Sequence, residues 1–384
     1  MKMYYFDHSA TTPPFNEVTD TVVEVMKNYY GNPSSLHQLG IDAEQLLKRA
    51  RNVISESLGV NGEQLIFTSG GTESNNMAIK GVALQYQNRG KHLITTEIEH
   101  ASVYESFKQL EKAGYHVTYL PVDQTGQVSI EDLEHALTDE TILVSIMHVN
   151  NEVGRIQPIK KMASLLKKRK RIIFHVDAIQ SVGKIPIHPE DWGIDLMSVS
   201  AHKLNGPKGV GVLYYRDGIK LYPLLTGGGQ EAGYRSGTEN VPLIVGMAKA
   251  IRISMDKQTI NLEHLYRLRK KLTDFIIQIP ELHLNGSTNP EHMAPHIVHF
   301  SFTGMKSEVI VHALEKKGIY VSTRSACASG ESKASRVLSA MGVSEHNANS
   351  GIRISMSAQQ TTQDINILCK QLKQVVHDYK GFIK

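Results

Sequence analysis

The stretch LIFTSGGTE at residues 65–73 joins a short apolar run directly to a glycine turn and the start of a helical pattern. A short apolar run bounded by turn residues is typical of a buried strand. The same order of strand and helix recurs along the chain, with strands predicted at 65–67, 92–95, 117–121, 142–149 and 172–176 and helices beginning at Thr72, Ala101, Ile130 and Ile159. This alternation predicts an α/β fold with a mostly parallel, doubly wound sheet.

The segments on either side of this block extend the pattern. Residues 40–58 carry apolar side chains at helical spacing and end at Gly59, as a helix stop should. The apolar runs 196–200 and 210–215 follow each other without a long helix between them. They therefore predict an antiparallel pair at one end of the sheet.

A second, smaller domain is expected after the long helical pattern at 241–255. The polar segment 256–261 is interpreted as the passage into it, and strands at 297–302 and 320–323 alternate with helices beyond. We therefore expect a large α/β domain and a smaller α+β domain, with residues 15–255 in the first and residues 1–14 and 256–384 in the second.

The composition bounds the classes of function. The chain has 384 residues, 41% of them hydrophobic, and a formal net charge of +4, which is mild for this length. Its basic run at 167–171 is interpreted as a solvated helix end, so no direct contact with nucleic acid is expected. The longest apolar run is too short to cross a bilayer, and an acidic residue precedes any apolar leader, so we expect a cytoplasmic protein without membrane contact.

The two cysteines differ in their surroundings. Cys327 stands among small residues after a predicted strand, where a thiol near cationic groups would be reactive. Cys369 lies among apolar residues at helical spacing, which favours a structural role. Two cysteines are too few for a disulfide framework.

Polar groups fall where predicted strands end, which is where α/β sheets bind ligands. The turn at 68–73 is either a tight turn or a phosphate site at a helix N-terminus, and Asp177 is either a turn residue or a functional carboxylate. Lys203 follows a strand within SAHKLNGPKG, and a desolvated lysine there suits Schiff-base chemistry. A lysine, an aspartate and a phosphate cup together are the parts of a pyridoxal 5′-phosphate (PLP) site.

Three further sets of residues could belong to a functional site. His100 follows a strand and Arg353 lies in an alternating segment, and either could be a satisfied surface residue. An arginine there is also placed for bidentate recognition of a carboxylate. His292, His296 and His299 have a spacing that could suit a metal, but no cysteine or HExxH-type partner lies near them, so no metal is expected.

The chain closely resembles the NifS/IscS cysteine desulfurases of the class-V aminotransferase family over nearly its whole length. The motifs that carry the resemblance are FDHSATTP (6–13), GNPSS (31–35), TSGGTESNN (68–76), EH (99–100), MHVNNEVG (147–154), HVDAIQSVGK (175–184), SAHKLNGPKG (200–209), RSGTENVP (235–242), SAC (325–327) and IRIS (352–355). It implies a fold-type I PLP enzyme that works as a homodimer.

The resemblance also implies roles for residues. Lys203 would form the Schiff base with the cofactor, Asp177 would pair with the ring nitrogen, Gln180 would contact the phenolic oxygen, and His100 would stack on the ring and transfer protons. The remaining assignments are Gly71, Thr72, Ser200 and His202 on the phosphate together with Thr238 of the other subunit, Asn151 on cofactor and substrate, Arg353 on the substrate, and Cys327 as nucleophile.

The implied reaction converts L-cysteine to L-alanine and leaves the sulfur on Cys327 as a persulfide, which passes to a sulfur-acceptor protein. The segment from Cys327 to Gly342 resembles the long-loop branch of the family. Arg324 and the runs 332–335 and 357–360 depart from the usual pattern without removing a catalytic group, and the tail at 381–384 is short. Delivery to tRNA or thiamine thiolation therefore stays open beside iron–sulfur cluster assembly.

Two alternative functions remain compatible with the sequence. One is a selenocysteine lyase or another class-V PLP enzyme, in which Cys327 would be incidental. The other is a catalytically silent adaptor that binds only acceptor proteins, which the filled catalytic positions disfavour.

Overall fold

The computed structural model describes residues 2–323 and 334–382, and within these ranges no helix is long and apolar enough to cross a membrane. The strands are β1 (Tyr4–Tyr5), β2 (Leu65–Thr68), β3 (His92–Thr96), β4 (His116–Leu120), β5 (Thr141–Met147), β6 (Ile173–Asp177), β7 (Leu196–Ser200), β8 (Gly211–Tyr215), β9 (Leu282–Asn285), β10 (Ile297–Phe302), β11 (Ile319–Tyr320) and β12 (Gly351–Ser355). The helices are α1 (Asn16–Asn28), α2 (Gln38–Leu58), α3 (Gly71–Gln85), α4 (Ala101–Lys112), α5 (Ile130–Ala136), α6 (Ile159–Leu166), α7 (Pro189–Trp192), α8 (Val241–Asp256), α9 (Gln258–Ile277), α10 (Ser307–Glu315), α11 (Arg336–Ala340), α12 (Glu345–Ala348) and α13 (Thr362–Tyr379).

Seven strands form the main sheet in the order β2-β8-β7-β6-β5-β3-β4. Strands β7, β6, β5, β3 and β4 are parallel, whereas β8 is antiparallel to both of its neighbours. The predicted doubly wound α/β sheet is therefore confirmed. The antiparallel pair β7–β8 is also present, but its predicted place at the end of the sheet is wrong, because β2 pairs along the outer side of β8.

The strands of this sheet are buried on both faces, except for the edge strand β4. Successive residues enter opposite cores: in β2, Leu65 and Phe67 pack into one cluster and Ile66 into the other. Helix α2 contributes Leu47, Ala50, Ile54 and Leu58 to the first of these clusters and ends at Gly59, whose φ of 67° is left-handed. Two-sided burial explains why these strands are short continuous apolar runs rather than alternating ones.

A second sheet has the order β12-β10-β9 and is antiparallel. Helices α9, α10 and α13 pack on it around Phe300 and Leu272, and Cys369 is buried in the same core, as predicted. Burial raises the pKa of the Cys369 thiol to about 11. Phe6, from the N-terminal segment, belongs to this cluster as well. The division at residues 1–14, 15–255 and 256–384 stays a prediction.

The segment 256–261 contains the end of one helix and the start of the next, since α8 ends at Asp256 and α9 begins at Gln258. Helix α9 then buries Leu265 and Leu268 in the core of the second sheet. One local prediction is corrected. The strand expected at 320–323 is shorter and earlier, at Ile319–Tyr320, where it pairs with β1.

Strand β8 packs tightly between β2 and β7 at Gly211, and a substitution there can test this packing. A Cβ at this position would lie 2.7 Å from the Cα of Gly70 and 2.8 Å from the carbonyl oxygen of Val199, so backbone would have to move on both sides. Gly211→Ala should lower the free energy of unfolding by about 1–3 kcal/mol, as overpacking does. The control is Gly62→Ala, where the nearest atoms stand at an ordinary 3.5 Å. Equal urea midpoints for the two variants would contradict the packing assigned to β8.

Candidate active site

A cavity of about 150 Å³ lies where strands of the main sheet end. It is lined by most of the residues that the sequence singled out, namely Gly71, Thr72, His100, Asn151, Asp177, Gln180, Ser200, His202, Lys203 and Arg353. Thr238 is exposed and is not part of this lining. Cys327 lies outside the described residues.

One end of the cavity is suited to a phosphate. Helix α3 begins at Gly71, and its N-cap residue Gly70 offers no side chain to the first-turn amides. A Cβ at Gly71 would collide with Ile179 Cδ1, so only glycine lets this helix end approach. The hydroxyls of Thr72 and Ser200 line the same cavity. Free amides at the positive end of a helix are a ready site for an anion.

Asp177 is the only acidic residue among the described residues that line this cavity. Its Oδ1 accepts from the backbone N–H of Ile179 at 3.0 Å, and its Oδ2 accepts from Asn75 Nδ2 at 2.8 Å. Asp177 therefore holds a turn, and it also lines the cavity. Its functional role stays a prediction.

His100 is the N-cap of α4 and faces the same cavity. Its Nδ1 accepts from the backbone N–H of Ser102 at 3.2 Å, so in the neutral ring the proton is on Nε2. Burial lowers the pKa of His100, and the charges of Lys203, Arg336 and Arg353 lower it further, while Asp177 opposes them. The imidazole is therefore neutral at neutral pH and can accept or relay a proton.

Asn75 is a site residue that the sequence analysis missed. Its Nδ2 donates to Asp177 Oδ2 and, at 2.9 Å, to Ser102 Oγ, which also lies 2.8 Å from His100 Nδ1. A single amide thus links the carboxylate to the imidazole. Its position four residues after Gly71, on the same face of α3, is the signal that could have revealed it.

The N-terminal segment closes the cavity with backbone carbonyls. Lys203 Nζ donates to the carbonyl oxygen of Ala10 at 2.8 Å and also to that of Ser9. The same Ser9 carbonyl accepts from Gln180 Nε2 at 3.0 Å. His202 Nδ1 lies 3.1 Å from Thr11 Oγ1, and burial, together with nearby lysines, lowers its pKa to about 4.

Arg353 brings the second sheet to the site. Its side chain is 1% exposed; Nη1 donates to the carbonyl of Asn151 at 2.9 Å and Nη2 donates to Asp7 Oδ1 at 2.8 Å. Its Nε is buried without a hydrogen-bond partner. Two nitrogens of the guanidinium therefore bond protein groups, and the Nε–H is available as a donor to a ligand.

The Asn75 link can be tested on protein stability. Asn75→Ala leaves a buried oxygen of Asp177 without its donor, which should lower the free energy of unfolding by about 1–3 kcal/mol. The neighbouring Asn76 is half-buried, and its side chain bonds the Thr72 carbonyl in its own helix, so Asn76→Ala should change stability by less than about 0.5 kcal/mol. Urea unfolding of both variants measures the difference, and a larger loss for Asn76→Ala would refute the assignment.

Comparison with known proteins gives one consistent answer. The family model for class-V aminotransferases matches residues 4–368. A curated cysteine desulfurase IscS from Clostridium botulinum is 43% identical over 376 residues, which is 98% of this chain and 94% of that protein. A solved NifS-like protein is 39% identical, with a TM-score of 0.92 and coverage of 98% of this chain and 100% of the other.

A second solved structure, titled SspA in complex with cysteine, is 34% identical with a TM-score of 0.80, covering 93% of this chain and 99% of the other. Family, curated relatives and solved neighbours all span nearly the whole chain. The chain therefore belongs to the class-V aminotransferase family, in its NifS/IscS branch, and is a pyridoxal-phosphate-dependent enzyme.

Proposed function

We propose that this chain is a cysteine desulfurase, which takes sulfur from L-cysteine onto Cys327 and releases L-alanine. The observation that carries the proposal is the convergence of Lys203, Asp177, His100 and Arg353 on one cavity beside an uncapped helix end. The relatives named cysteine desulfurase and the solved neighbour with bound cysteine support the choice of substrate.

The cavity fits the cofactor at each point where the cofactor has a distinct chemistry. The amides that begin α3, with Thr72, Ser200 and His202, would hold its phosphate, and the Asp177 carboxylate would face its ring nitrogen. Gln180 Nε2 is a donor directed into the cavity toward Ser9, and would serve the phenolic oxygen. When bound, pyridoxal phosphate supplies an electron sink for charge that develops at the substrate α-carbon.

The protein then supplies proton transfer and anchoring. Lys203 is the amine that would carry the cofactor, and the carbonyls of Ser9 and Ala10 hold that amine at the cavity. His100 is neutral and fixed by Ser102, so it can take up or return a proton.

Arg353 would bind the substrate carboxylate. It has a buried N–H without a partner, and the Asp7 carboxylate and the Asn151 carbonyl fix its plane. Asn151, four residues after β5, would contact both cofactor and substrate from the opposite side.

Sulfur transfer requires the Cys327 thiolate. The substrate carbon–sulfur bond breaks, an S–S bond forms to Cys327, and the carbon takes a proton to give alanine, so the carbon is reduced as the sulfur is oxidised. Cys327 is four residues from Thr323, a reach of at most about 14 Å. On either side of Cys327, Ser322 pairs with Arg353, which lines the cavity, and Ser335 Oγ donates at 2.5 Å to Oε2 of Glu152, the residue after Asn151.

We further propose a homodimer in which Thr238 of one subunit completes the phosphate site of the other. Thr238 is exposed in the single chain. Large apolar side chains of α1, α2 and the loop between them are also exposed, among them Met26 at 61%, Tyr30 at 72% and Leu36 at 96%. An apolar surface of this kind is expected where a partner covers it.

The persulfide would then pass to a thiol of an acceptor protein in the cytoplasm. Iron–sulfur cluster assembly and the thiolation of tRNA or thiamine both begin with such a transfer.

Cys327→Ser tests the proposal directly. The variant should bind the cofactor and L-cysteine, because those groups lie elsewhere, yet alanine release and persulfide formation should fall at least about a hundredfold, since a hydroxyl is a far weaker nucleophile than a thiolate. The matched control is Cys369→Ser, whose thiol is buried in the second core. Alanine and persulfide are measured per cofactor by amino-acid analysis and mass spectrometry.

Undiminished alanine from cysteine in the Cys327 variant, or persulfide found on Cys369, would contradict the assignment. Selenocysteine, used as the substrate, distinguishes the proposed desulfurase from a selenocysteine lyase. A selenocysteine lyase would still release selenium after Cys327→Ser, whereas the proposed desulfurase would lose turnover of cysteine.

A further inference from the structure

A second cavity of about 240 Å³ lies on the other side of Lys203. Lys203 lines both cavities, and the second one is bounded by the N-terminal segment, the end of α8 and the loop after β12. None of the roles proposed above uses this space. Its wall includes His8, Lys184, Lys257 and His296.

The wall of this cavity is rich in basic side chains. Three lysines and two histidines line it, and among the described residues of the wall there is no aspartate or glutamate. Of the lysines, Lys184 is enclosed enough for burial to lower its pKa, and a charge that is costly to bury is normally paired with a carboxylate. No described residue of the wall supplies one to Lys184.

Several of the basic groups have unused hydrogen-bonding atoms. Both ring nitrogens of His296 and Nδ1 of His8 are buried without partners, and the two residues are 1% and 6% exposed. Lys184 donates to Gln180 Oε1 at 3.0 Å and, as an ammonium, has two further N–H bonds to offer. Buried polar atoms without partners indicate a ligand or ordered solvent between them.

The electrostatics agree with this inventory. Burial lowers the pKa of Lys184 to about 7, and the charges of Lys203 and Arg353 act in the same direction. Burial, followed by the charge of Lys184, lowers the pKa of His8 to about 4. An anion placed among these groups would reverse these shifts, and its own binding would gain the same free energy.

We propose that this second cavity binds a small inorganic anion, of the size of a halide or a sulfate, between Lys184, His8 and His296. The volume accommodates such an ion. Lys184 and one ring nitrogen of His296 provide N–H donors, and Nδ1 of His8 becomes a third donor when the anion stabilises the protonated ring. The site is distinct from the phosphate end of the first cavity, which α3 forms.

The anion would act on the first cavity through Gln180. An ammonium can only donate, so Lys184 fixes Oε1 of Gln180 toward itself and leaves Nε2 directed at Ser9 and the active-site cavity. An anion that keeps Lys184 protonated therefore keeps the Gln180 amide in this orientation. Lys184 is a positioning residue in this sense.

Bromide is the probe for the site. Crystals of the PLP-loaded enzyme, soaked in sodium bromide, should show an anomalous peak in contact with Lys184 Nζ and a His296 ring nitrogen. The bound cofactor occupies the other anion site, so the two cannot be confused. An ordered water only, or bromide only at the protein surface, would overturn the proposal.

A solution measurement keeps the test independent of crystals. The thermal midpoint of the PLP-loaded enzyme is followed as bromide replaces gluconate, a bulky organic anion, at constant ionic strength. Bromide should raise the thermal midpoint of the natural chain. Lys184→Met and His296→Gln should each raise the bromide concentration that gives half of this effect at least tenfold. The control is Lys160→Met, which removes an exposed lysine of α6. The same bromide response in all four proteins would contradict the site.

Discussion

The buried guanidinium of Arg353 is the constraint on which the assembly of this site depends. A charge that is 1% exposed must have partners, and it finds them in the Asp7 carboxylate and the Asn151 carbonyl. These partners lie on the N-terminal segment and after β5, while Arg353 itself is on β12 of the second sheet. Satisfying one arginine therefore draws three distant parts of the chain together around one cavity.

The N-terminal segment also separates two buried lysines. Lys203 donates to the carbonyls of Ser9 and Ala10. Lys184 instead donates to Oε1 of Gln180, and Nε2 of Gln180 donates to the Ser9 carbonyl. Both amines are near the cofactor site, but only Lys203 lines the first cavity. The contacts therefore give the two lysines different roles: Lys203 faces the cofactor site, and Lys184 orients the side-chain amide of Gln180.

The sequence predicts the main sheet well because all of its strands except the edge strand β4 are buried on both faces and appear as apolar runs between turns. It does not reveal that β2 lies outside β8, since that pairing joins residues far apart in the chain. The side chains of the site could be found at strand ends, but the carbonyls of Ser9 and Ala10 could not, because backbone groups leave no mark in the residue pattern. The start of α9 could not be placed from the sequence, because the segment 256–261 around it is mostly polar.

The most direct test of the central claim is chemical identification of the lysine that carries the cofactor. The PLP-loaded enzyme is reduced with sodium borohydride, digested, and the pyridoxyl group is mapped by mass spectrometry. Lys203 should carry the label, because its amine alone of the two buried lysines lines the first cavity. A label on Lys184, or a label spread over surface lysines, would contradict the account of the site.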